Sequence, residues 1–334
     1  MRVKNLDSTR RKSRVLDTRS CRKGLLILVL ASALVQGASG EPSWKWRFTF
    51  VAPFRSDYWT KIAQGIQDAS RETDANTIVT GPVGEVNADL QIQAIEAAIA
   101  SKVDGIVTMA LDPDRFTKVI DKAEAAGIPV VLVDTDAPGS RRDAYIGTDN
   151  YAAGQEAARL MMQAIGRDAE IGIITGPAEA DNQKLRISGF RKVLSAYPGL
   201  RIVDTQIGNS EFLLVRERLQ AMLSAHPGIS ALFGADGYGA LAGAAIVRQL
   251  DRVGKIAIIG FDASDDVVEN IRNGIIDAVI VQDNYQMGYQ AVRVLAGIKS
   301  GKKPPFTVIK TATRVLNRQN IASYVPTDSP SSSP

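Results

Sequence analysis

Several short apolar runs of this chain end in an acidic or amide side chain. Asp134 follows Val130–Val133, Asp236 follows Ala231–Ala235, Asp262 follows Ile256–Phe261, and Gln282 with Asp283 follows Ala278–Val281. Another run, Phe48–Val51, leads into Ala52-Pro53-Phe54-Arg55-Ser56-Asp57-Tyr58-Trp59, which brings a hydroxyl and aromatic rings to its end. A carboxylate accepts hydrogen bonds from neighbouring hydroxyls, and an aromatic ring covers an apolar C–H face. The combination suits a sugar or polyol. A structural reading competes for Asp236 and Asp262, because Asp is a strong N-cap and a helix is expected after each. Either residue alone fits both readings; several such ends on one sheet edge favour a shared ligand.

Those ends need a frame to bring them together. From Arg47 onward, Val- and Ile-rich runs recur at Phe48–Val51, Thr77–Val79, Gly105–Met109, Pro129–Val133, Ile171–Ile174, Ile202–Val203, Ala231–Phe233, Ile256–Ile259 and Ala278–Val281, with a further strand at Tyr145–Asp149. Longer stretches with helical spacing lie between them, such as Lys61-Ile62 with Ile66 and Ala69. Continuous apolar strands alternating with helices predict parallel sheets covered on both faces. Gly127-Ile128-Pro129 and Tyr197-Pro198-Gly199 are helix-end punctuation. The strands are too many for one ordinary doubly wound domain. A new βα series opens at Tyr145-Ile146-Gly147-Thr148-Asp149, so the fold class is α/β with two Rossmann-like lobes of about five or six strands each. Ligands of such sheets bind outside the carboxyl ends of the strands, where the polar residues above fall.

Composition narrows the chemistry. Cys21 is the only cysteine and His226 the only histidine, so thiol nucleophiles, histidine triads and cysteine or histidine metal centres are poorly supported. His226 stands in Ala225-His226-Pro227-Gly228, where it is expected to close a helix. No metal and no cofactor is implied, and no catalytic residue is assigned.

Residues 1–40 read as a secretory signal peptide. A basic opening (Arg10-Arg11-Lys12, Arg14, Arg19, Arg22-Lys23) runs into apolar Leu25–Val35 and then small Ala38-Ser39-Gly40, with cleavage expected after Gly40. The apolar run is shorter than the roughly 20 residues that span a bilayer, although an uncleaved anchor is the competing reading. The whole chain has 40 Lys+Arg and 36 Asp+Glu; without residues 1–40 it has 31 against 34. A mildly acidic body gives no electrostatic case for nucleic acid. The tail 327–334 is too polar and proline-rich to fold.

The chain resembles the periplasmic sugar-binding proteins of the ribose/galactose type, which feed ABC transporters. The resemblance spans roughly residues 46–316. It rests on the order of Phe50–Trp59 with Ile62–Ala69, Val103-Asp104-Gly105-Ile106-Val107, Gly127–Asp134, Gly147-Thr148-Asp149-Asn150, Arg186-Ile187-Ser188-Gly189-Phe190, Ile259-Gly260-Phe261-Asp262 and Val281-Gln282 with Gly288. It implies a type 1 periplasmic-binding fold with three crossover segments and a hinge. One lobe would be 44–148 plus 283–311, the other 149–282 plus 312–326. Carried over by position, the ligand contacts would be Ser56, Tyr58, Trp59 and Asp134 from one lobe. Lys184, Asp236, Asp262 and Gln282 would come from the other, with Asn209 or Ser210 more loosely placed. Two departures stand out: Lys184 falls where ribose binders have arginine, with Arg186 close by, and Asp236 falls where asparagine is usual. The implied partners are a sugar or cyclitol and an inner-membrane ABC permease, or a sensor kinase or chemoreceptor in its place. The implied protein is a periplasmic monomer with no nucleic-acid partner.

Two readings from other classes compete. Gly237-Tyr238-Gly239-Ala240-Leu241-Ala242-Gly243 approaches a dinucleotide-binding turn and would suit a nicotinamide-dependent oxidoreductase, although Asp236 would then face the pyrophosphate. A lactose-repressor-type regulator shares the core, but here an apolar export-like segment stands where a DNA-binding domain would be.

Overall fold

The computed structural model describes residues 44–54, 56–82 and 86–324, so the expected signal peptide (1–40) and disordered tail (327–334) lie outside the described residues. Strand and helix alternate in the order β1 (Trp46–Val51), α1 (Asp57–Glu72), β2 (Ala75–Thr80), α2 (Ala88–Ala100), β3 (Gly105–Thr108), α3 (Pro113–Ala125), β4 (Val130–Val133) and β5 (Ala144–Thr148). They continue with α4 (Asn150–Ile165), β6 (Ala169–Thr175), α5 (Asp181–Leu194), β7 (Leu200–Ile207), α6 (Phe212–Ala225), β8 (Ile229–Gly234) and α7 (Gly239–Gln249). The last elements are β9 (Ala257–Phe261), α8 (Asp265–Arg272), β10 (Ala278–Gln282), α9 (Asn284–Lys299), β11 (Val308–Thr311) and β12 (Thr313–Asn317).

Two six-stranded sheets result, ordered β11-β5-β4-β3-β1-β2 and β12-β10-β9-β8-β6-β7. The first is parallel throughout. The second has the expected parallel core and adds one antiparallel edge strand, β12, which pairs with β10. The cause is topological. Strands of both lobes point their carboxyl ends at the cleft, so a chain passing straight from β11 into the other lobe must run away from it. The other two passages, β5 to α4 and β10 to α9, continue as helices.

Period-two alternation sorts side chains between the faces of each sheet. In the second, Leu232, Ile258 and Val279 pack with Val215, Leu219, Ile246 and Ile271 of α6, α7 and α8. Ala231, Phe233, Phe261 and Ile280 pack on the other face with Ala157, Met161 and Phe190 of α4 and α5. One helix pair per lobe meets through glycines. A Cβ at Gly65 of α1 would lie 2.1 Å from the Tyr285 carbonyl oxygen of α9, and one at Gly288 would lie 2.0 Å from that of Ile62. In the other lobe, Gly154 of α4 and Gly189 of α5 stand equally close to the carbonyls of Arg186 and Tyr151. His226 closes α6, its backbone N–H bonding to the Met222 carbonyl.

Candidate functional site

The strand ends of both sheets open onto one cavity of about 660 Å³. Seven of the nine candidate residues line it: Ser56, Tyr58, Trp59, Asp134, Asp236, Asp262 and Gln282. Two do not. Lys184 is exposed on α5, whose inward face instead presents Asn182 and Arg186, 7% and 2% exposed. Residues four apart share a helix face, and the residue midway between them points away. Asn209 is exposed in its loop, while its neighbour Ser210 turns into the wall. Asp136, another charge near the β4 end, is held by Arg142, whose Nη2 donates to Oδ2 at 2.6 Å.

Arg186 organises the floor. Its Nε donates to Asn150 Oδ1, one Nη to the Ala235 carbonyl and the other to Gln282 Oε1, each at 2.8 Å. The guanidinium lies 3.9 Å from the centroid of Phe261. Gln282 Oε1 also accepts from Thr148 Oγ1 at 2.9 Å, and its Nε2 donates to Asp262 Oδ1 at 3.1 Å. Thr148 ends β5 and Gln282 ends β10, so this amide joins two of the three passages between lobes to the cavity floor.

Asp134 and Asp262 occupy matching places, just after β4 and β9, with φ of 63° and 62°. The left-handed conformation is one that Asp tolerates better than most residues. The Asp134 carboxylate accepts three side-chain hydrogen bonds. Tyr58 donates its hydroxyl to Oδ1, while Oδ2 accepts from Thr135 Oγ1 at 2.7 Å and from Asn182 Nδ2 at 3.1 Å. The last of these bonds crosses from one lobe to the other.

The capping alternative resolves differently at the two positions. Asp236 holds the turn that leads into α7, whose N-cap residue is Tyr238: its Oδ1 accepts from the backbone N–H groups of Tyr238 and Gly239 at 3.2 and 2.9 Å, and its Oδ2 from Ser210 Oγ at 3.0 Å. Asp262 does not cap, because Ser264 caps α8 by accepting from the Val267 N–H. Ser56 likewise caps α1 through the Trp59 N–H. The glycine-rich turn serves packing, since a Cβ on Gly239 would sit 2.4 Å from Gly234 Cα.

Burial sets the site's proton affinities. It pushes the Asp262 carboxyl up to about 6, with Arg186 and Gln282 opposing and the Asp134 and Asp236 charges adding to the rise. Asp236 is also raised by burial, against its hydrogen bonds from Ser210 and the two backbone N–H groups. Burial beside Asp134 and Asp262 holds the Tyr58 phenol protonated well above its ordinary range. Tyr58, Trp59 and Phe54 form an aromatic corner, the first two meeting edge-on with centroids 5.1 Å apart.

Sequence reasoning passed over Asn182, Thr135 and Asn284, which also line the cavity. The four-residue spacing from Asn182 to Arg186 was the available signal for the first. Among the described residues, no group of three or more His, Cys, Asp and Glu is placed to hold a metal.

Two doubly wound lobes whose polar strand ends face one cleft define a two-lobed binding protein. The family model for the periplasmic binding protein domain matches residues 48–303, and the chain belongs to that family. The chain is 24% identical over 296 residues to the ribose import binding protein RbsB of Bacillus subtilis, covering 85% of this chain and 95% of the relative. GanP, a glucose-galactose binding protein from Geobacillus stearothermophilus, superposes with a TM-score of 0.80 at 36% identity, covering 82% of this chain and 98% of GanP. An ABC transporter solute binding protein from Burkholderia graminis, in complex with D-arabinose, gives a TM-score of 0.81 at 28% identity, covering 85% of this chain and 99% of that one.

Proposed function

We propose that this chain is an extracytoplasmic solute-binding protein that captures a sugar or polyol between its lobes and delivers it to an ABC importer. The observation that carries the reading is the convergence of Asp134, Asp236, Asp262, Gln282 and Arg186 beside the Tyr58–Trp59 corner in one cleft. Three carboxylates and a guanidinium recognise vicinal hydroxyls, and the rings cover the sugar's C–H face. Relatives described as ribose import, glucose-galactose and D-arabinose binders support that ligand class. The contacts come from both lobes, 44–148 with 283–311 and 149–282 with 312–326. Closure about the three passages therefore completes the site, and the closed form is what a membrane permease recognises. Capture and release require no covalent bond to change. The basic and apolar order of residues 1–40 supports export to the periplasm with cleavage after Gly40.

A thermal-shift screen of the purified protein against pentoses, hexoses and inositols tests the reading. A ligand at 100 times its Kd adds about 2.7 kcal/mol to stability, so a cognate sugar raises Tm clearly. Asp262→Ala abolishes that rise without unfolding the protein, because Ser264 rather than Asp262 caps α8. A rise with amino acids or nucleosides and none with any carbohydrate overturns the ligand class.

A further inference from the structure

The charge of the cavity wall is lopsided in a way that a neutral sugar does not explain. Besides the three strand-end aspartates, Asp57, Asp265 and Asp266 line it, while Lys61 and Arg186 are its only cations among the described residues. The hydrogen bonds of Arg186 go to neutral acceptors, namely Asn150, the Ala235 carbonyl and Gln282. Its charge therefore tempers the carboxylates from a distance without closing an ion pair on any of them.

The wall is also short of donors. Asn182 Oδ1 and Asn284 Oδ1 are buried and lack a hydrogen-bond partner among the described residues, on side chains each 7% exposed. Both residues line the cavity. Among the described residues the Asp262 carboxylate accepts a single hydrogen bond, from Gln282, although a carboxylate has about four acceptor positions. A buried acceptor without a donor is costly, so the ligand is what supplies the donors. A hydroxyl brings one donor together with acceptors the wall has little use for, and it leaves the negative charge uncompensated. An ammonium group brings three donors, no acceptor and a positive charge.

Resting on the reading of a sugar or polyol binder, we infer that the preferred ligand is cationic: a polyhydroxylated ring carrying a protonated amine, held at the Asp236–Asp262 side of the cleft. These two aspartates follow neighbouring strands of one sheet, and the Asp236 charge is felt at Asp262. The rim carboxylates Asp57, Asp265 and Asp266 draw a cation toward the cleft.

Isothermal titration of the purified protein at neutral pH tests this, using amino-hexoses and amino-inositols, their hydroxyl parents and their N-acetyl derivatives. The expected result is at least one amine bound about tenfold or more tighter than its parent, with acetylation removing the gain. The gain shrinks as salt is raised, whereas a neutral parent is insensitive to salt. In Asp236→Asn, which removes one charge while its amide oxygen can still accept from the N–H groups opening α7, the amine-to-parent ratio falls severalfold. The melting temperature of that variant without ligand shows whether it is folded, and the salt series on the unaltered protein reads the same charge independently. If no amine outranks its parent while a neutral sugar binds, the inference is overturned and the sugar reading stands. If no carbohydrate of any charge binds, the sugar reading itself fails.

Discussion

Arg186 is the residue on which the cavity floor depends. Burial of a guanidinium is tolerated only where its donors are met and counter-charges are near, and here three acceptors and the Phe261 ring meet it. Arg186→Met is expected to cost about 3–5 kcal/mol, because it leaves Asp262 and Asp236 without a neighbouring cation. Arg186→Lys keeps the charge but not the planar fork, so it retains part of the stability. Equilibrium urea unfolding of the two variants checks this ordering, and equal losses would argue that charge alone matters. The same helix shows what a sequence does and does not reveal about a site. Asp134, Asp236, Asp262 and Gln282 are legible because each directly ends an apolar run and so must lie at a strand's carboxyl end. Lys184 misleads because position along a helix is set by about 3.6 residues per turn. A residue two places from the functional one faces solvent, and only the pair Asn182–Arg186 marks the inward face. Thr135 and Asn284 each lie two residues past the last residue of their strands, β4 and β10, beyond the position that reads as the strand's end.

At the scale of elements, the helix that carries Arg186 is positioned by a glycine contact. A Cβ on Gly189 would stand 2.1 Å from the Tyr151 carbonyl, so α5 can approach α4 only while that position is bare. Gly189→Ala is therefore expected to push the helices apart, costing about 1–3 kcal/mol. It should weaken ligand binding as well, because Asn182 and Arg186 move with α5. Gly297→Ala in α9 is the contrasting case, with nothing within 4 Å of the added carbon. A helix-interior Gly to Ala change there gains up to about 1 kcal/mol. Denaturant midpoints and ligand-induced thermal shifts of the two variants distinguish them, and a Gly189→Ala protein with unaltered midpoint would refute the packing argument. Strand order also separates the legible from the hidden. The strands β1 to β10 are visible as apolar runs because most are covered on both faces. β11 and β12 escape that criterion as edge strands with few buried residues, Val308 being 44% exposed. Their place is dictated by the third passage between lobes, a long-range fact that no local pattern encodes.

At the scale of the whole molecule, the buried carboxyls make stability depend on pH in a definite direction. Burial raises Asp262 to about 6 and Glu124 to about 8, the latter helped by the Asp143 charge and shared hydrogen bonding between the two. Glu124 Oε1 accepts from the Val130 N–H at 2.8 Å, tying the end of α3 to the start of β4, while Arg141 nearby opposes the rise. Asp236, Asp277 and Asp283 are raised by burial as well. A carboxyl whose folded value lies above its unfolded value near 4 adds stability that is complete below about pH 4. That contribution is lost as pH climbs through the folded value, near 6 for Asp262 and near 8 for Glu124. Asp149 has the opposite sign. Burial alone would raise it, but Lys310 and the Ala152 N–H hold it below the usual range. It supports the fold above about pH 4 and withdraws that support as acid protonates it. The ligand-free protein is therefore expected to be most stable on the acid side of neutrality. Its Tm should fall from pH 5 to pH 9, by roughly 5 °C or more, in one limb near 6 and another near 8. Glu124→Gln, whose amide still accepts from Val130 and donates to Asp143, should flatten the upper limb and leave the lower one. Melting curves at half-unit pH steps decide the matter. A wild-type Tm that holds level or rises between pH 7 and 9 would mean that Glu124 is ionised in the fold at no cost.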